Sequence, residues 1–277
     1  MTRKSQKMEN FLTAFPRKWV RKTIGLWPAF EWWNRLSMGT RVPTLRAFEE
    51  NELRVISAKL GIVPTASVAC IVPTYRRPEQ LVSALNSILR QSYADFVVIV
   101  IDDGGGLPEL PKDPRIFAVS LSKNSAVLGI VRNIGIRISN SRYIAFLDDD
   151  NTWTEKHLEL TISALEEGAD FVYSSIRRTM SDGTELDILS REYDRRELAD
   201  GENYIDANAI VLRRSRQAVF SRLPRVKSTL PKEDWEFAFR LTRNRRVRHI
   251  STPTVEYLVN MQSYFTGWDS FREQSET

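Results

Sequence analysis

Residues 143–153 read YIAFLDDDNTW, and this stretch decides the fold. Five residues of apolar character, Tyr143 to Leu147, are followed at once by Asp148, Asp149 and Asp150. A short apolar run bounded by polar residues is the pattern of a buried strand. Three adjacent carboxylates at its end repel one another and lose solvation, which raises their pKa values unless a cation offsets the charge. A divalent metal, Mn2+ or Mg2+, does this with one or two protein carboxylates, filling its remaining positions with water and phosphate oxygens. A nucleoside diphosphate held with such a metal is the ligand this strand end suits.

The segments on either side repeat the pattern. SVACIVPTY (67–75) reads as a strand stopped by Pro73, and Leu81, Leu85, Ile88 and Leu89 then fall on one helical face. FVVIVIDDGGG (96–106) is a second buried strand closed by Asp102, Asp103 and a glycine loop, and IFAVSLS (116–122) is a third, weaker one. Val127, Ile130, Ile134 and Ile138 stripe the next helix, which leads into the strand at 143. Beyond it come a helix near Glu155 to Glu167, the strand DFVYSSI (170–176), a hairpin turn at Asp182-Gly183, the strand IDANAIVL (205–212) and a helix around KEDWEFAFRL (232–241). Strands alternating with helices predict an α/β domain with a mainly parallel central sheet flanked by helices. Ligands of such sheets bind beyond the carboxyl ends of the strands. Thr74 and Tyr75, Asp102 and Asp103, and Asp148 to Asp150 all lie at such ends.

The net charge of +5 is unevenly spread: residues 1–48 carry ten Lys/Arg against Glu9 and Glu31. This arm also holds Trp19, Trp27, Trp32 and Trp33, and Pro28 divides it into two short helix candidates. A basic, Trp-rich segment suits a peripheral membrane contact, and equally packing against the body or against a second copy of the chain. The mildly acidic remainder argues against nucleic acid as a partner. The single cysteine, Cys70, excludes an intramolecular disulfide and reads as a small core residue. No run approaches the length of a membrane span or signal core, so a cytoplasmic chain is expected, with membrane association on the cytoplasmic face left to the arm.

Taken in order, CIVPTYRRPEQLVSALNSILRQSY, VVIVIDDGG, NSAVLGIVRNIGIRISNSRYIAFLDDDNTW and LPKEDWEFAFRL resemble the family 2 glycosyltransferases over about residues 67–262. The resemblance implies a GT-A (nucleotide-diphospho-sugar transferase) fold at 61–277, with a nucleotide-sugar half at about 67–152 and an acceptor half at about 153–265. Residues 1–60 form a helical N-terminal extension outside it. It implies transfer of a sugar from a nucleotide-sugar, with UDP the commonest carrier, to an acceptor hydroxyl on a glycan, a lipid-linked molecule or a small molecule, with inversion. Thr74 and Tyr75 then lie against the base and ribose, Asp102 hydrogen-bonds the base and Asp103 supports it. Arg132 and Asn133 face the diphosphate. Asp150 binds the metal and Asp148 contacts ribose, sugar or metal, while Asp149 stays undecided. Asp234 of PKEDWEF is the general base. Trp235 with Phe239, and Phe237 with Leu241, are four apart and read as core. Trp153 is left open between core and site.

The chain departs from the family after its last strand, where YLVNMQS places Leu258 and Asn260 at positions often held by Arg and His. That departure puts a phosphate or metal contact from this loop in doubt, and leaves His249 as a substitute ligand or a structural residue. Two other readings compete: a nucleotidyltransferase, for which VPTYRRPEQ lacks the glycines of a triphosphate loop, and a non-catalytic binding protein of the same fold.

Overall fold

Among the described residues, two helices, α1 (Leu26–Met38) and α2 (Val42–Leu60), precede the first strand. The computed structural model describes residues 25–60, 64–180, 182–226 and 229–259. Pro28 sits in the first turn of α1, where a missing N–H is harmless. The other helix candidate of the arm, with Trp19, lies outside the described residues, as does Asn260. Among the described residues no helix is long and apolar enough to cross a membrane.

β1 (Val68–Thr74) and β2 (Phe96–Asp102) are buried at every position, as strands covered on both faces must be. β3 (Ile116–Ser120) extends the sheet past β2, and β4 (Tyr143–Phe146) lies on the other side of β1. All three pairings are parallel. α3 (Pro78–Leu89) and α4 (Leu128–Arg137) cover this half. A methyl group at Gly135 would lie 2.5 Å from the Ile71 side chain, so the missing Cβ is what lets α4 approach β1. Cys70 is fully buried in the core.

The second half is mixed. After β5 (Asn151–Trp153) and α5 (His157–Glu166) come β6 (Phe171–Met180) and β7 (Glu185–Leu189), joined by the hairpin expected at Asp182-Gly183. Then follow α6 (Arg195–Asp200), β8 (Ile210–Arg213), α7 (Glu233–Leu241) and β9 (Val247–Val259). The sheet runs β3-β2-β1-β4-β8-β6-β9-β5, with β7 on β6. Four of its eight pairings are antiparallel, all in this half, so "mainly parallel" holds only for the first. The short hairpin and the reversed β8 replace helical crossovers there.

Two strand expectations change at their ends. β1 does not stop at Pro73 but pairs with β2 through Thr74. Ile71 offers its carbonyl to Leu147 on the β4 side, and Thr74 offers its own to Asp103 on the β2 side. Strand alternation therefore turns Pro73 toward the β4 side, beyond the last β1–β4 pair, where its absent N–H breaks no ladder bond. IDANAIVL begins with a 3-10 turn, Ala207–Ala209, because the Asp206 carboxylate accepts the Asn208 amide at 2.8 Å and caps it.

The arm helices are docked. Glu49 of α2, fully buried, accepts from Arg222 Nε and Nη2 at 2.7 Å each and from Arg137 at 3.2 Å. Trp27 of α1 is buried and meets the Trp235 ring edge-on with centroids 5.3 Å apart, while Trp32 is exposed.

Candidate active site

Chain order reverses at β1: β2 lies to one side and β4 to the other, which opens a crevice at their carboxyl ends. A cleft of about 750 Å³ lies there, within the range of roughly 300–1,000 Å³ usual for small-molecule sites. Thr74, Tyr75, Asp103, Arg132, Asp148, Asp149, Asp150 and Asp234 line it.

 Of the ten residues expected from sequence, these eight face the cleft, and Asp102 and Asn133 do not.

The three aspartates divide their work. Asp149 is buried; it accepts from the Thr74 hydroxyl at 2.7 Å and from Arg77 at 3.0 Å, clasping the end of β1 to the turn after β4. Burial pushes its carboxyl up to about 6, against the pull of Thr74 and Arg77. Asp150, partly exposed, pairs with Arg77 at 2.5 Å, and burial followed by repulsion from Asp148 raises its pKa. Asp148 accepts from Arg132 Nη2 at 2.6 Å and from the Asn208 amide side chain at 3.3 Å. Its own backbone N–H donates to Asn208 Oδ1 at 2.6 Å.

Asp102 is fully buried, and its two oxygens accept the Gly105 and Gly106 amides at 3.0 and 2.8 Å. It shapes the glycine loop, while Asp103 faces the cleft with Oδ1 on the Ser125 amide at 2.8 Å. A Cβ at Gly105 would come within 3.0 Å of Tyr75 and Arg76, so glycine is what lets the two loops touch. On α4, Arg132 points into the cleft, buried beneath Phe220 with its guanidinium carbon 5.0 Å from the ring. Its Nε has no hydrogen-bond partner. Asn133 is turned about 100° away along the helix. It is fastened to Phe220, donating to the carbonyl at 3.1 Å and accepting the amide at 2.7 Å, so the expected diphosphate contact is corrected to a wall fastener.

Asp206, Lys232, Glu233 and Asp234 also line the cleft, close to Arg132 and Asp148: Glu233 lies 3.7 Å from Arg132 Nη1, and the Asn208 side chain bonds both Asp206 and Asp148. Asp234 lies in the first turn of α7, where the helix dipole favours a carboxylate. Burial, then the charges of Asp206 and Glu233, overcome that effect and raise its carboxyl to about 7. Burial, then the charge of Asp148, likewise raises Asp206. Asp206, Asn208, Arg77, Lys232 and Tyr257 were not singled out from sequence. The acid opening IDANAIVL, read as part of a strand, was the available signal.

Trp153 is core: its indole N–H donates to the Asn208 carbonyl at 2.8 Å and its ring stacks on His157. Trp235 stacks on Phe239 and Phe237 on Phe220, as core side chains. His249 lies outside the cleft, stacked on Tyr173 and bonded to Ser175 at 3.0 Å, so it is structural. Leu258 is exposed.

Among the described residues no three His, Cys, Asp or Glu side chains form a ready metal cage. The residues nevertheless fit a hard divalent ion that brings its own water and phosphate ligands, because Asp148 and Asp150 are hard oxygen donors whose mutual repulsion a cation would relieve.

Residues 69–222, more than half of the chain, match the family described as Glycosyl transferase family 2. The putative teichuronic acid biosynthesis glycosyltransferase TuaG of Bacillus subtilis is 30% identical over 128 residues, 43% of this chain and 50% of that protein. The Escherichia coli UDP-Glc:alpha-D-GlcNAc-diphosphoundecaprenol beta-1,3-glucosyltransferase WfgD is 30% identical over 114 residues, 39% of this chain and 45% of that protein. An uncharacterised glycosyltransferase of Rickettsia bellii is 34% identical over 137 residues, 47% of this chain but 19% of that protein. The chain thus aligns with half or less of the length of these relatives. Staphylococcus aureus TarS 1-349 in complex with UDP-GlcNAc superposes with a TM-score of 0.57 at 18% identity, over 72% of this chain and 60% of that one, a likeness of fold. The chain belongs to glycosyl transferase family 2, and its fold is GT-A.

Proposed function

We propose that the chain is an inverting glycosyltransferase that moves a sugar from a nucleotide-sugar, UDP-linked, to an acceptor hydroxyl. The observation that carries this reading is that Asp234 lines the same cleft as the aspartates after β4, where burial raises its carboxyl. A carboxylate titrating near neutrality is matched to taking a proton from a hydroxyl. Tyr75 and Asp103 form the base and ribose end of the cleft, and Arg132 faces the diphosphate. Asp148 and Asp150 would hold a divalent ion, Mn2+ or Mg2+, which would neutralise charge on the departing diphosphate. Asp234 accepts the acceptor's proton as the hydroxyl attacks the face away from the leaving group, so the anomeric centre inverts. The GlcNAc-diphosphoundecaprenol in the name of WfgD and the teichuronic acid biosynthesis in that of TuaG support a glycan or lipid-linked acceptor.

The test is nucleotide-sugar turnover, as transfer or hydrolysis, by the intact chain and by Asp234→Asn. A folded Asp234→Asn that keeps full turnover removes the assigned base. Calorimetry with UDP, dTDP and GDP, each with and without Mn2+, reads the nucleotide. No binding in any arm would favour a non-catalytic role.

A further inference from the structure

The N-terminal helix grips the chain on both sides of Asp234. Before it, Asn34 Nδ2 donates to the Leu230 carbonyl at 2.8 Å. Glu31 Oε2 accepts from Arg225 Nη2 at 2.8 Å, and the same guanidinium donates through Nη1 to the Pro231 carbonyl. After it, Trp27 packs edge-on against Trp235, and Arg35 Nη2 donates to Glu236 Oε1 at 2.9 Å. Three residues of α1 thus touch positions 230, 235 and 236, and Glu31 reaches position 231 through Arg225. Asp234 itself accepts the amide of its neighbour Trp235 at 2.8 Å, so its place depends on that of its own stretch of chain.

The inner face of α1 is built for this contact. Trp27, Glu31 and Asn34 are its buried residues, spaced four and three apart on one stripe, and two of the three are polar. Glu31 and Arg225 are 8% and 5% exposed, an ion pair closed off from water. Such a pair adds little net stability over apolar packing but defines geometry, and removing one member leaves the other charge buried. Arg225 and Lys232 also line the cleft, so the gripped loop is part of its wall.

We propose that α1 is a positioning element of the active site, with Glu31 and Asn34 as positioning residues that set Arg225, the Leu230–Lys232 stretch and Asp234 against the donor. This gives the basic, Trp-rich arm a task that neither membrane attachment nor oligomer contact supplies. It rests on the glycosyltransferase reading for its catalytic consequence, and on the contacts alone for the grip.

The experiment compares the intact chain with Glu31→Ala, Glu31→Gln and Asn34→Ala by amide hydrogen exchange, nucleoside diphosphate binding and the pH profile of turnover. Glu31→Ala is expected to speed exchange in residues 229–241 while leaving α4 unchanged. It should keep UDP affinity and lower kcat by roughly 10- to 100-fold, the scale of a small misplacement of a reacting group. It should also displace the acid limb that belongs to Asp234. Glu31→Gln keeps an acceptor for Arg225 and restores most of the turnover. Asn34→Ala, which strands no charge, gives a milder loss in the same direction and covers the case in which Glu31→Ala does not fold. Unchanged exchange at 229–241, or an equal rise throughout the chain, overturns the proposal. If the intact chain neither binds a nucleoside diphosphate nor turns over a nucleotide-sugar, the glycosyltransferase reading falls, and the exchange comparison still decides the grip.

Discussion

Removing an acid from the cleft should make the enzyme work better in acid. Asp206 is the second-largest cause, after burial, of the rise of Asp234 from 3.8 to about 7. Replacing a neighbouring buried carboxylate by a neutral group should bring the acid limb of turnover down, by about one pH unit. Asp206→Asn is the suitable replacement, because both bonds that Asp206 makes to Asn208, at 2.8 and 2.7 Å, use the same oxygen, Oδ1. The amide keeps that acceptor and loses only the charge. At pH 6 a base of pKa about 7 is roughly 9% ionised and one of pKa about 6 is about half ionised, so the ratio of kcat/KM at pH 6 to that at pH 8 should rise about fivefold. The ratio is the quantity to measure, since any lost contact between Asp206 and a substrate cancels from it. An acid limb that stays in place, or moves upward, refutes the pairing of Asp206 with Asp234.

Because burial raises Asp234 above its unfolded value, its ionisation destabilises the fold as pH climbs from about 4 through about 7. Asp234→Asn should therefore raise Tm at pH 8 and leave it nearly unchanged at pH 4 while removing activity, read by thermal melts at the two pH values. Asp150→Ala should abolish metal-dependent binding of UDP with the circular dichroism of the fold intact, read by calorimetry with and without Mn2+. Glu49→Ala withdraws the carboxylate shared by Arg222 and Arg137, both partly exposed. It should lower stability by about 2–3 kcal/mol, seen as a lower urea midpoint at constant m.

The strands and the acids at their ends were legible because each rests on local pattern: an apolar run sets a strand, and a polar residue after it must lie at its end. What sequence left hidden depends on direction. Arg132 and Asn133 are neighbours in sequence, yet a helical turn of about 100° sends one into the cleft and the other to Phe220. The docking of α1 was hidden for a related reason. Its buried stripe carries Glu31 and Asn34, and a search for apolar periodicity passes over polar residues whose partners lie some two hundred positions away. Asp206 was concealed inside a run that reads as strand, because the turn it caps follows from a side-chain bond rather than from periodicity.

The triple aspartate shows why the middle acid differs from its neighbours. Asp149 turns back toward β1, against Thr74 and Arg77, and is the most buried of the three. Asp148 and Asp150 flank it, each held by an arginine from a different element: Arg132 from α4 and Arg77 from the start of α3. The two guanidiniums therefore offset part of the repulsion that the sequence alone made puzzling. They also bring positive charge to the two carboxylates assigned to a metal, where phosphate oxygens would arrive with it. Arginine bound to a carboxylate is exchangeable for a cation of higher charge density, and a guanidinium so released is a fitting donor to phosphate. The crowding of charge after β4 is thus a balance struck between acids and arginines drawn from separate helices, with Asp149 fixing the turn that holds its two neighbours apart.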